Sequence, residues 1–156
     1  MATGFAYHED FLKHLTGPHH PERPARLEAI LEGLDQAGLL QRLTRLAVRP
    51  VEREWVLAIH SPEYVRRLEA ACHDGLPYID TPDCQICRDS YRVALLAAGA
   101  ATGAVDAVMS GQVGRAFCAV RPPGHHAEED AAMGFCLLNH IAIAATYARR
   151  RRSVRR

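Results

Sequence analysis

The sequence predicts an α/β fold, a parallel sheet flanked by helices, on three observations. Segments of helical period alternate with short apolar runs that suit buried strands. No internal repeat interrupts that alternation. The run at 115–120, Arg-Ala-Phe-Cys-Ala-Val, leads straight into a loop of Pro, Gly and His and then into a further helical segment. Strand, loop, helix is the order found where ligands gather beyond the carboxyl ends of parallel strands.

Each element follows from local chemistry. Residues 5–10 read as a short extended segment, and 16–22, with Gly17, Pro18 and Pro21, as a loop. Pro24 suits a helix start, and Leu27, Ile30, Leu31 and Leu34 recur at helical spacing until Gly38 ends the pattern. Residues 43–48 alternate like a strand before Pro50. Trp55, Val56, Leu57 and Ile59 read as core, and His60 as a helix-end residue. Ser61 caps and Pro62 opens a helix that extends to Ala71. Pro77 and Pro82 leave 76–89 without a sustained period, as a surface loop. Residues 88–109 read as a long apolar helix in which Ala98, Gly99, Ala100, Ala101 and Gly103 permit close packing. Gly111 and Gly114 bracket a turn before the buried strand at 115–120, and 138–149 is again helical.

At 156 residues, with 48% hydrophobic and 24% charged residues, the chain is long enough for one globular domain with a real core. The formal charge of +1 conceals an asymmetry. Six of the 19 basic residues are arginines within 149–156, so the other 13 face 18 acidic residues and the body is acidic. Clustered guanidiniums bind phosphate backbones by releasing counterions. No aromatic is interleaved with these arginines and no second basic face appears, which argues against nucleic acid. The expectation is a domain at 1–148 followed by a disordered basic tail at 149–156.

Five cysteines make an odd count, and Met1-Ala2-Thr3-Gly4-Phe5 has neither a cationic nor an apolar signal region. A reducing cytoplasm with free thiols is the expectation. No apolar run approaches the roughly 18–20 residues needed to span a bilayer, so no membrane partner is expected. Lys13 is the sole lysine and alanine is abundant, the usage of a GC-rich bacterial genome.

The chemistry gathers in Arg121-Pro122-Pro123-Gly124-His125-His126, followed by Gly134-Phe135-Cys136-Leu137-Leu138-Asn139. Pro122 and Pro123 stiffen the strand exit, and Gly124 lets the backbone turn sharply or approach a ligand. Neighbouring side chains in a strand point to opposite faces, but in an irregular loop both imidazoles can line one cavity. Placed beside a narrow apolar pocket, they form a proton-transfer site. Alone, a His-His pair also reads as a hydrogen-bonded surface pair. Cys84-Gln85-Ile86-Cys87, near Cys72 and His73, reads as a zinc knuckle or, lacking a spaced second pair, as ordinary thiols. Cys136 reads as a nucleophile or, more simply, as a small apolar wall residue.

With His20-Pro21-Glu22-Arg23-Pro24-Ala25-Arg26-Leu27, His60-Ser61-Pro62-Glu63-Tyr64-Val65 and the stretch from Tyr91 to Val105, these pieces resemble, in order, the histone deacetylase superfamily. That superfamily includes acetylpolyamine amidohydrolases and acetoin utilisation proteins. The likeness spans nearly the whole chain and covers the amino-terminal part of the family's domain. It implies an arginase/deacetylase-like α/β fold, incomplete at the carboxy-terminal side, and zinc-dependent hydrolysis of an N-acetyl amide on a lysine or polyamine. It also implies that His126 is a general base and that His125 gives electrostatic or acid assistance. By the same resemblance Gly134 and Phe135 wall the acyl-lysine tunnel, Arg26 stands beside an internal acetate-release cavity, and Asp80 meets substrate at the rim.

In that family the strand after the Asn139 helix brings an Asp-x-His pair of zinc ligands. A later loop brings a third carboxylate, and a Tyr further on stabilises the oxyanion. This sequence holds no Asp-x-His triplet, and an arginine run stands where the family has an apolar strand. Zinc is therefore implied by the family, while metal ligands are not expected within this chain. The expectation is a truncated deacetylase, inactive alone, through a natural truncation, a split gene or a frame change near 146–152. The alternative is a non-catalytic interaction module or one half of a split enzyme, whose bare sheet edge takes a complementing carboxy-terminal fragment or a second copy.

Overall fold

The computed structural model describes residues 1–154. Its centre is a three-stranded parallel sheet in the order β2-β1-β3. β1 is Thr3–Ala6, β2 is Leu43–Leu46 and β3 is Arg115–Cys118. Thr3 aligns with Leu43 on one side and with Arg115 on the other. Parallel neighbours need crossovers, and helices supply them. α1 (Pro24–Gln36) lies between β1 and β2 in the chain. α2 (Arg53–Leu57), α3 (Pro62–Asp74) and α4 (Ser90–Met109) lie between β2 and β3, and α5 (His140–Arg151) follows.

α4 runs between two packed clusters. One joins Phe5, Phe11, Leu27 and Leu46 to Val93, Leu96, Ala97 and Ala100 of α4. The other joins Val56, Tyr64, Val65, Leu68, Leu137 and Ile143 to Ala94 and Ala98. The small residues expected to permit close packing are what lets both layers approach this helix. By length and composition α4 is apolar enough to cross a membrane, which corrects the expectation that no run approaches that length. Over half of that stretch is buried inside the fold, as befits a central core helix.

Other differences have local causes. Residues 5–10 are extended only to Ala6; Glu9–Lys13 is a 3-10 helix whose start is capped by His8, with Nδ1 accepting from Asp10 N–H at 3.1 Å. β2 and β3 each end two residues earlier than expected. α2 is too short, at five residues, to display a helical period. α5 continues past residue 148, so Arg149, Arg150 and Arg151 of the expected tail form its last turn, where cations suit the negative end of the helix dipole. Arg152 then pairs with Asp106 at 2.8 Å. Arg155 and Arg156 lie outside the described residues.

Candidate active site

Beyond β3 the chain stays beside β1 as far as Ala119, whose N–H donates to Ala6 O at 3.0 Å. It then reaches Arg121 and turns through Pro122, Pro123 and Gly124 to deliver His125 and His126 at the carboxyl edge of the sheet. Both imidazoles are exposed, with ring centroids 4.2 Å apart and planes tilted by 55°. Gly124 is required by proximity: a Cβ there would collide with Leu138 O and the ring of His140. The approach of this turn to the start of α5 thus depends on the missing side chain.

The second motif forms a tight hairpin. Met133 and Cys136 pair antiparallel, with N···O distances of 3.2 and 2.9 Å. Gly134 and Phe135 have φ of 54° and 69°, the two positive values that a type I′ turn needs at its centre. Glycine adopts this freely, whereas phenylalanine does so at a cost of about 1–3 kcal/mol. The Phe135 ring meets the His20 ring edge-on at 4.8 Å. A Cβ on Gly134 would lie 3.0 Å from His126 Cδ2, so the hairpin walls the tandem pair closely. His125, His126, Gly134 and Phe135 therefore share one edge of the molecule.

Arg26 and Asp80 occupy different positions. Arg26 borders a cavity of about 120 Å³, lined also by Glu22, Arg121, Leu27, Ile30 and Val120, beneath the Pro-Pro turn. Asp80, at φ 58°, uses its carboxylate within the protein: it accepts from Ala132 N–H at 2.7 Å and from Arg67 at 2.9 Å. Arg67 also donates to Asp130 O at 2.8 Å. Asp80 thereby ties its own loop to the segment that leads into the hairpin.

His60, expected at a helix end, directly precedes the Ser61 cap of α3 and is a buried support of the site. Its Nε2 accepts from Asn139 N–H at 2.9 Å, and burial lowers its pKa. Asn139 in turn caps α5 through Ala142 N–H and donates its amide to Ala127 O at 2.9 Å. Tyr64, four residues after His60, donates its hydroxyl to Leu137 O at 2.7 Å. The stretch from His60 to Tyr64 thus holds the end of the second motif, Leu137 to Asn139. His140 is also buried behind the pair, its pKa brought down to about 4 by burial and then by His125.

The buried thiols are not poised as nucleophiles. Burial pushes the pKa of Cys84 and of Cys136 up, which disfavours thiolate chemistry. The Cys87 thiol donates to Lys13 O at 3.2 Å. Among the described residues, no three His, Cys, Asp or Glu side chains are grouped to hold a metal ion.

Comparison with known proteins gives one answer. The histone deacetylase domain matches residues 20–156. The chain is 38% identical over 165 residues to polyamine deacetylase HDAC10 of Homo sapiens, covering 100% of this chain and 25% of that protein. It is 41% identical over 145 residues to a probable deacetylase of Archaeoglobus fulgidus, covering 92% of this chain and 40% of that protein. The chain therefore spans well under half the length of these relatives. Among solved structures, the HD domain of HDA15 superposes with a TM-score of 0.89 at 35% identity, over 95% of this chain and 43% of that one. A match of this extent, carried by the motifs that build the paired-imidazole edge, shows that the chain belongs to the histone deacetylase domain family.

Proposed function

We propose that this chain carries the proton-transfer side of a deacetylase centre, one that hydrolyses the N-acetyl amide of an acetylated lysine or polyamine. The observation that carries the reading is the pair of exposed imidazoles, 4.2 Å apart, set against the Gly134–Phe135 hairpin. Amide hydrolysis needs a proton taken from water as it attacks and one returned to the amine as it leaves. His126, against the hairpin, takes the first; His125 stabilises the developing charge or acts as acid. Phe135 offers an apolar flank to an aliphatic stem, and the cavity beside Arg26 has room for an acetate-sized product. The human relative's name, a polyamine deacetylase, supports the polyamine substrate, and the archaeal relative's name supports deacetylation. The five free thiols suit a reducing cytoplasm.

The family implies zinc, which needs three or four protein donors. The described residues do not fit that demand, so no step is assigned to a metal. The complete centre requires donors beyond these residues, and the chain alone is inactive in this reading. A complementing carboxy-terminal segment, joined or separate, would supply them. The outer edge of β3, where Phe117 is 42% exposed, favours a second reading as a module that binds a partner without catalysis.

Assays with equimolar zinc on an acetyl-lysine peptide and an acetylated polyamine separate these readings. The chain is tested alone and fused to the carboxy-terminal part of the archaeal relative's domain. Turnover by the fusion, falling roughly 100-fold or more in His126→Ala, is expected. Turnover by the chain alone would overturn its incompleteness, and a folded, zinc-loaded fusion without turnover would overturn the deacetylase reading.

A further inference from the structure

Glu22 and Arg121 are both almost fully buried, at 1% and 3% exposure, and neither takes part in proton transfer. The guanidinium grips the carboxylate with two parallel bonds, Nε to Oε1 at 2.6 Å and Nη2 to Oε2 at 2.8 Å. Two of its three remaining hydrogens reach the carbonyls of Phe11 at 3.1 Å and His14 at 3.0 Å. The buried ring of His14 adds Nε2 at 3.4 Å from Glu22 Oε2, and its Nδ1 lies 2.7 Å from Ser90 Oγ.

Stability alone does not account for this arrangement. Burying two charges costs several kcal/mol each, and apolar replacements of a buried ion pair are often as stable or more so. A bidentate fork instead fixes orientation. Arg121 directly precedes the two stiff prolines that lead to Gly124, His125 and His126. Glu22 follows His20 by two residues, and the His20 ring props Phe135 while its Nε2 donates to Asp83 O at 3.0 Å. One ion pair therefore ties the strand exit that carries the imidazoles to the segment that supports the opposite wall.

We propose that the Glu22–Arg121 ion pair is the positioning device that sets the tandem imidazoles against the Gly134–Phe135 wall. The proposal rests on the reading of His125 and His126 as the proton-transfer pair, yet its test reads ring geometry and not turnover. The two can thus fail separately.

The test is NMR of the full chain with labelled histidine. It follows the nuclear Overhauser contacts from His126 Hδ2 to Gly134 Hα and from the His20 ring to Phe135. In the double variant Glu22→Met with Arg121→Met, apolar groups of similar length fill the space. The circular dichroism spectrum is expected to stay close to that of the parent and the thermal midpoint to fall, since the Phe11 and His14 carbonyls lose their donor, while the His126–Gly134 contact weakens roughly threefold or more. A folded double variant with parental contact intensity would overturn the proposal. Should the double variant not fold, Arg121→Lys decides, because it keeps the charge and loses the fork. Loss of the contact in the folded lysine variant supports the proposal, and parental intensity overturns it. Unfolding of both variants overturns it as well, since the pair would then serve the fold and nothing more specific.

Discussion

His60 is held neutral by the direction of one hydrogen bond. Asn139 N–H donates to its Nε2, so that nitrogen must keep a lone pair, and burial lowers the pKa against the pull of the Glu128 and Glu129 backbone. Replacing His60 by Phe leaves the Asn139 N–H without its acceptor. The expected cost is about 1–3 kcal/mol, read as a lower urea midpoint with an unchanged slope. Gly134 sets a second local constraint. Gly134→Ala introduces a Cβ at a φ of 54° and 3.0 Å from His126 Cδ2. A loss of about 1 kcal/mol or more is expected, with displacement of the His126 ring resonances. Unshifted resonances would count against the close wall. The imidazoles and the Gly-Phe turn are legible in the sequence because their partners are chain neighbours. His60 with Asn139, 79 positions apart, and Glu22 with Arg121, 99 apart, leave no local signature, and only the fold brings them together.

At the scale of elements, legibility follows the strength of local chemistry. Ser61 and Pro62 mark the start of α3 because a hydroxyl acceptor and a residue without an N–H suit a helix's first turn, and Ser61 Oγ accepts from Tyr64 N–H at 3.2 Å. α2 has no such signal. β3 is readable as an apolar run, yet its residues alternate between exposed and half-buried, unlike the doubly covered strands of most parallel sheets. Phe117 stacks on Phe5 at 5.9 Å and remains 42% exposed. Among the described residues the outer edge of β3 has no strand beside it. Such an edge is a template for pairing. The isolated chain is expected to self-associate as its concentration rises, and Phe117→Lys to reduce that association in light scattering. A parent chain that stays monomeric at high concentration would refute this expectation.

The molecule as a whole is built to be acid-labile, because three of its buried imidazoles, His14, His60 and His140, resist charging within the fold. Burial lowers the pKa of His14, with Glu22 opposing, and of His60; His140 is brought down to about 4. Unfolded histidines bind protons below about pH 6.5. As pH falls through that value the unfolded chain takes up protons that the folded imidazoles refuse, and stability declines until the folded pKa is reached. For His140 alone the loss is on the order of 3 kcal/mol by pH 4. The carboxylates act lower on the scale. Burial pushes Glu22 up, but His14 and Arg121 outweigh it and hold the group at about 2, and Arg92 and then Lys13 hold Asp10 at about 2. Their stabilisation persists above about pH 4.5 and disappears as pH falls towards 2. The urea midpoint is therefore expected to be level between about pH 7 and 8 and to drop steeply between roughly 6.5 and 4, before the carboxylates contribute. His140→Asn should flatten part of that drop, since an amide has no proton to refuse. A midpoint constant from pH 7 to 4.5 would show that these imidazoles charge within the fold. Total stability of a domain this size is only about 5–15 kcal/mol, so a loss of that order at His140, with His14 and His60 shifted in the same direction, sets the acid limit of the whole chain.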